Sequence, residues 1–424
     1  MFAIVIYLFL LLIFGVLNTN TFRSKFNYAN IFLLLWCVIP SLSAFGFYDF
    51  YKPPFEAHVY IILAIITFEI TTLITKRIHI IKENEIETHP STERINWTIL
   101  LIISLICLAV IFPFFIISIR FALSNGFYYL RIKVLNNELF SARNRIILQD
   151  VIQPLVITTT LASIYHLVEN RKIKIVTIIS VLNCGLYMMT IGNRWLIMEV
   201  LLMIVVIVVG KYAFNIVEIL RKNKWATRIV ALLIVGMVFI TVQRSIRGST
   251  GLLYDVYSYF VGSIHFFGLA VSSPSEFALD SSHYLWGQEL ISAFVGLINN
   301  IGAAFGNSEI ISSGLNTINE ITQKYYFVSP TTHMNNNITM IYGFMRDCGV
   351  VGVIFDTTVL ALFCMFVYKR RNKSIYTRFR YIFNLTLLPF LIFEWFYGRT
   401  FVLIVFLILT LLDITSKKKL RIKI

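Results

Sequence analysis

The sequence predicts an all-α, polytopic transmembrane protein, and three observations carry that prediction. Of 424 residues, 58% are hydrophobic and only 14% charged, with a mean hydropathy of +0.77, which excludes an ordinary soluble domain of this length. The apolar residues gather into runs such as Ile61 to Thr75, Ile99 to Ile119, Leu196 to Val209 and Phe401 to Leu412, most of them near the roughly 20 residues that carry a helix across a hydrocarbon core. Clusters of Lys and Arg punctuate the runs at alternate junctions.

About eleven spans follow, near 2–17, 30–47, 58–75, 97–119, 149–168, 175–191, 195–210, 229–243, 348–368, 381–397 and 400–413. The first run has no basic residue before it and no small-residue cleavage site after it, so it reads as a span, not a signal peptide. Arg23/Lys25, Lys76/Arg77, Arg171/Lys172/Lys174, Arg221/Lys222/Lys224, Lys369/Arg370/Arg371 and the tail from Lys417 to Lys423 then share one side. By the positive-inside rule that side is cytoplasmic, which puts the N-terminus outside and the C-terminus inside. The chain divides into membrane helices over 1–243 with an external loop near 120–148, a large external loop over 244–347, and membrane helices with a basic tail over 348–424. The net charge of +15 is an orientation signal beside anionic lipid and not a nucleic-acid footprint.

Other chemistry is excluded by motif. Cys37, Cys107, Cys184, Cys348 and Cys364 stand singly, without the paired spacing of a metal or redox site. No HExxH, Walker or Rossmann-type pattern is present, so neither a zinc hydrolase nor nucleotide-driven chemistry is expected, and no cofactor or metal.

The cytoplasmic cations mix Arg and Lys, 11 to 14. Outside, Arg120, Arg131, Arg143, Arg145, Arg194, Arg244, Arg247, Arg346 and Arg399 face only Lys52, Lys133 and Lys324. Orientation needs only charge, whereas a planar fork grips phosphate or carboxylate bidentately. The external face is therefore expected to hold an anion. Residues 244–347 carry seven acids against four cations, so their arginines are not part of a general basic excess.

Arg244 and Arg247 are one helical turn apart at the outer end of a span, followed by Gly248 and Gly251, so both would point into one pocket at headgroup depth. Arg194 opens a span in Gly192-Asn193-Arg194-Trp195. Each also fits an ordinary snorkelling anchor. The polar run Ser329 to Asn337 contains His333, suited to accept a hydroxyl proton near neutral pH, and Asn335, suited to orient a sugar; the alternative is an interfacial loop facing water. Tyr254, Tyr257 and Tyr259 are placed to stack on sugar rings. Tyr257 to Val271 and Leu290 to Ala304 predict interfacial or re-entrant helices, which require a covered cavity. Glu69, Glu199, Asp356 and Glu394 fall within spans, where each must pair or protonate; Asp356 and Glu69 equally fit an ion path, which keeps a transporter reading open.

Gly192-Asn193-Arg194, Gln243-Arg244-Ser245-Ile246-Arg247-Gly248 with the following Tyr257 to Ile264, and Phe344 to Phe355 together resemble the Wzy-type O-antigen polymerases, the oligosaccharide repeat-unit polymerases. The resemblance extends to the layout, many spans with a large periplasmic loop in the second half. It implies a GT-C-like, metal-independent, inverting glycosyltransferase of the bacterial inner membrane that joins undecaprenyl-diphosphate-linked oligosaccharides. Arg194, Arg244 and Arg247 would hold the diphosphate, with Arg244 and Arg247 also serving catalysis. His333 would activate the acceptor, and Arg131, Arg143, Asn335, Arg346 and Arg399 would contact glycan. The implied partners are the lipid-linked oligosaccharides, membrane lipid and a chain-length regulator protein, with no nucleic acid. An O-antigen ligase of the same layout and a lipid-linked oligosaccharide flippase are the rival readings.

Overall fold

The computed structural model describes residues 2–79, 95–192, 195–212, 252–305, 311–335 and 337–421. Its helices are α1 (Phe2–Phe22), α2 (Tyr28–Ser43), α3 (Phe55–His79), α4 (Trp97–Asn125), α5 (Phe127–Leu135), α6 (Ala142–Ile146), α7 (Gln153–Asn170), α8 (Ile175–Ile191) and α9 (Trp195–Tyr212). After residue 251 come α10 (Leu252–Ser272), α11 (Ser292–Ala304), α12 (Gly314–Thr322), α13 (Met340–Arg370), α14 (Ile375–Leu387) and α15 (Thr400–Arg421). The sheet content of the described residues is one antiparallel pair of two-residue strands, β1 (Tyr326–Phe327) and β2 (His333–Met334), with Phe327 opposite His333. The chain is all-α, as its sequence predicts.

Among the described residues, six helical stretches are long and apolar enough to cross a membrane: Phe2–Phe22, Phe55–Ile78, Trp97–Asn125, Ala142–Asn170, Trp195–Tyr212 and Met340–Arg370. Their packing is inverted relative to a water-soluble bundle. On α1, Phe2, Val5, Leu8, Phe9, Leu12 and Val16 are exposed while Tyr7 and Asn18 are buried. Asn18 donates to the buried Glu69 carboxylate of α3 at 2.7 Å, and Asn183 of α8 donates to the Ser104 carbonyl of α4 at 2.8 Å. Apolar surface outside and polar groups hydrogen-bonded between helices inside is what an apolar solvent selects. Glu69, Glu199 and Asp356, expected to need partners or protons, are all buried.

The helices leave two chemically different ends. At one, the Lys76 ammonium lies 5.4 Å from the Tyr368 ring, Lys174 lies 4.4 Å from Trp97, Arg378 donates to the Tyr165 hydroxyl at 3.3 Å and Arg380 pairs with Asp413 at 3.4 Å. Lys76 of α3 and Arg371 beyond α13 thus meet at the Tyr368 ring. At the other, α10 touches the Leu42 carbonyl through Tyr257, the Tyr51 carbonyl through His265 and Pro53 at Gly268. These contacts, along about 16 Å of helix, fall on the end of α2 and the α2–α3 connection, so α10 lies across that end.

Three segments differ from expectation. The stretch 381–397 is not a continuous span: α14 stops at Leu387, and Pro389 opens a 3-10 turn over Leu388–Ile392, followed by a second over Phe396–Gly398, because proline cannot continue an α-helical ladder. Of the two apolar pieces of the large loop, α10 is longer than the expected Tyr257 to Val271, having 21 residues, and α11, having 13, is shorter than the expected Leu290 to Ala304. The span placed at 348–368 begins earlier, at Met340, and is broken at Cys348 and Gly349 (φ +59°, ψ −136°). The expected span at 229–243 lies outside the described residues.

Gly349 combines a left-handed φ with close packing, since a Cβ there would lie 2.4 Å from the Tyr284 hydroxyl. Gly349→Ala is expected to destabilise the protein by about 1–3 kcal/mol, measured by thermal unfolding in detergent. Tyr284→Ala in the same chain should restore only part of the loss, because the backbone strain remains.

Candidate functional site

The irregular chain after α14 carries the first part of the site. Burial of Phe390, Phe393, Trp395 and Phe396 fixes this stretch in the interior, and its turn brings Glu394 opposite Arg399. The Arg399 Nε donates to Glu394 Oε1 at 2.8 Å and its Nη2 donates to Oε2, a two-pronged grip that only a guanidinium makes. Arg399 is partly exposed, and desolvation works against its charge, but Glu394, Glu289 and Asp150 together raise its pKa.

Glu289 completes the group. It sits in the turn before α11, where Leu285 and Trp286 N–H groups donate to the Arg346 and Asp347 carbonyls at 2.8 and 2.9 Å. The Asp347 carboxylate accepts the N–H groups of Glu289 and Leu290 at 3.1 and 3.3 Å, so the break in α13 holds this turn. Two glycines let neighbouring backbone close over Glu289: a Cβ at Gly343 would lie 3.0 Å from its Cγ, and one at Gly314 2.4 Å from its nitrogen. Burial raises the Glu289 pKa well above the ordinary glutamate range and the Asp347 charge adds to this, while the Ser292 hydroxyl and Arg399 oppose it. Glu289 therefore holds a proton more firmly than a solvated glutamate.

Glu289 and Glu394 line one small cavity together with Asn319, Thr339, Tyr342 and Trp395. It offers about 10 Å³, the space of one water. On the far side of Arg399, Asp150 accepts from Asn300 Nδ2 at 2.7 Å. Asp150 stands on a π-helical insertion, Ile147–Ile152, of the kind that re-aims side chains at functional sites. The arrangement supplies a carboxyl with raised proton affinity, a guanidinium-held carboxylate and sugar-compatible hydroxyl and amide groups around one opening.

The residues expected to form the site distribute differently. Arg194, Arg244 and Arg247 lie outside the described residues, which resume at Trp195 and at Leu252. Gly192 packs on Arg131, with a would-be Cβ 3.5 Å from the Arg131 Cβ. The Trp195 ring lies 5.0 to 5.5 Å from Phe390, Phe393 and Phe396, and Tyr259 of α10 lies 5.1 Å from Phe393. Trp195 and Tyr259 thus both pack on the stretch that carries Glu394. Arg399 is in the site, engaged with Glu394. Arg143 is exposed on α6. Arg346 is buried and donates to the Phe277 carbonyl at 3.3 Å, a tie within the protein. His333 lies between the rings of Tyr325 and Phe327, at 4.8 and 5.9 Å, and Asn335 reaches the Gln323 carbonyl at 3.5 Å; neither is among the residues lining the cavity.

Sequence reasoning passed over Glu289 and Asp150 and treated Glu394 as a costly charge without a role. The available signal was acids set within apolar chain, Glu289 and Glu394 close to Trp286 and Trp395, on the side where cations are arginine.

The raised Glu289 pKa fixes a pH dependence. The folded chain keeps a proton that the unfolded chain releases near 4.5, so this contribution to stability is full below about 4.5 and is lost as pH rises toward the folded value. Glu289→Gln is expected to flatten that decline, read as a stability difference from the parent that grows with pH. Parallel curves would contradict the assignment.

Comparison of the chain with family models, curated proteins and solved structures finds no match to any of them.

Proposed function

We propose that the chain is a membrane glycosyltransferase that polymerises undecaprenyl-diphosphate-linked oligosaccharide repeat units into O-antigen or a related surface polysaccharide, on the non-cytoplasmic face. The observation that carries this reading is the placement of Glu289 and Glu394 on one cavity, with Glu394 held by Arg399, at the end opposite the basic clusters, where Trp195 and Tyr259 pack on the stretch that carries Glu394.

In the proposed reaction an acceptor hydroxyl attacks the donor anomeric carbon. Its proton passes to Glu289, the new carbon–oxygen bond forms, and the bond to the diphosphate breaks with its electron pair leaving on the diphosphate. Glu289 serves this transfer in its ionised form, and burial strengthens that carboxylate as a proton acceptor. Glu394, oriented by Arg399, positions the sugar. Arg194, Arg244 and Arg247 meet the charge that develops on the leaving oxygen, the largest single contribution a water-poor site offers. One inverting displacement needs one base and no metal. A sugar is far larger than one water, so substrate entry in this scheme requires α12, which lines the cavity through Leu315, Ile318 and Asn319, to move aside.

The genetic test is deletion of the gene with inspection of the surface glycan. Carriers bearing a single repeat unit are expected; complete loss would point to a ligase or flippase, and unchanged polymer would reject the reading. Within a functional chain, Glu289→Gln is expected to slow polymer formation about 100-fold or more, and His333→Gln less than about 10-fold. The reverse order would return the base to His333. Lys in place of Arg244 or Arg247 should shorten the polymer, since one ammonium cannot replace a fork.

A further inference from the structure

At the basic end a second cavity, about 300 Å³, opens between α3 and α13. Its lining changes character along α13: Leu362, Met365 and Phe366 are apolar, and Lys369, Arg370 and Lys373 follow within the next two turns, with Thr75 of α3 opposite. Leu362 and Phe366 are exposed on the outer surface of the bundle, and the Arg370 guanidinium lies 3.9 Å from the Phe366 ring. Other cations of this end are turned elsewhere. Arg371 lies 3.8 Å over the Tyr368 ring and donates to the Tyr368 carbonyl, and Lys76 is buried between the Phe22 and Tyr368 rings.

We propose that this cavity is a binding site for an anionic phospholipid, whose phosphate lies among Lys369, Arg370 and Lys373 and whose acyl chain runs along Phe366 and Leu362. A positive-inside cluster needs charge alone. Here the charge borders a recess whose apolar floor continues onto lipid-facing surface, the helical lining from Leu362 to Arg370 covering about 12 Å. A soluble anion uses only the mouth of such a recess, whereas a lipid uses both parts. Net attraction to an acidic leaflet comes from each Lys or Arg near the surface. This inference is independent of the proposed glycosyl transfer.

The test uses the full chain in phosphatidylcholine nanodiscs, with bound lipid counted by native mass spectrometry. Phosphatidylglycerol should bind at one saturable site in preference to phosphatidylcholine. Arg370→Gln with Lys373→Gln should weaken it about tenfold, and so should Phe366→Gln with Leu362→Gln. Arg23→Gln with Lys25→Gln, which removes the same charge from another cluster of the sequence, should leave it unchanged. Equal weakening by that control would reduce the effect to general charge and overturn the proposal. Binding of inorganic phosphate as tightly as lipid would overturn it in favour of a soluble anion, and displacement of phosphatidylglycerol by equimolar undecaprenyl phosphate in favour of the carrier lipid.

Discussion

The Arg399 grip on Glu394 is the contact on which the rest of the site depends. Both groups stand on a stretch that is neither helix nor strand, and irregular backbone survives inside an apolar bundle only where protein covers it and its polar groups find partners. Phe390, Phe393 and Phe396 supply the cover through Trp195 and α10, and the guanidinium supplies the partner. The same guanidinium acts on Glu289 and Asp150, so one cation holds three acids from three parts of the chain in electrostatic register. Removing one member of such a group leaves the others buried and uncompensated.

A second constraint shapes the frame. With lipid outside, exposed Leu, Ile and Phe carry no penalty, and polar groups need internal partners. Asn18 serves Glu69 in this way. Through the N–H groups of Glu289 and Leu290 that it accepts, Asp347 ties the break in α13 to the turn that presents Glu289.

The frame was legible because hydrophobic runs and basic junctions report directly on solvent and orientation. The helix at Ile175–Ile191 matches its sequence boundaries, fixed by the polar turn before it and Gly192 after it. The stretch 381–397 was misread because its composition is apolar throughout, and only Pro389 and Gly398 mark the turns that break it. The site was less legible for a different reason. Arginine enrichment directed attention to cations, whereas the groups that line the described cavity are carboxyls, and it is folding that brings Glu289 and Glu394 together across about a hundred residues of chain. Arg399 was singled out, but no spacing rule reveals that Glu394 occupies its fork.

The claim beneath this account is that the cavity of Glu289 and Glu394 lies outside the cell membrane while the recess of Arg370 and Lys373 lies inside. Single cysteines placed at the exposed positions Trp286 and Lys373, with Cys348 replaced by serine, report this directly when intact cells meet a membrane-impermeant maleimide. The account predicts labelling at 286 from outside and at 373 only after permeabilisation. Labelling at 373 but not at 286 in intact cells would contradict it.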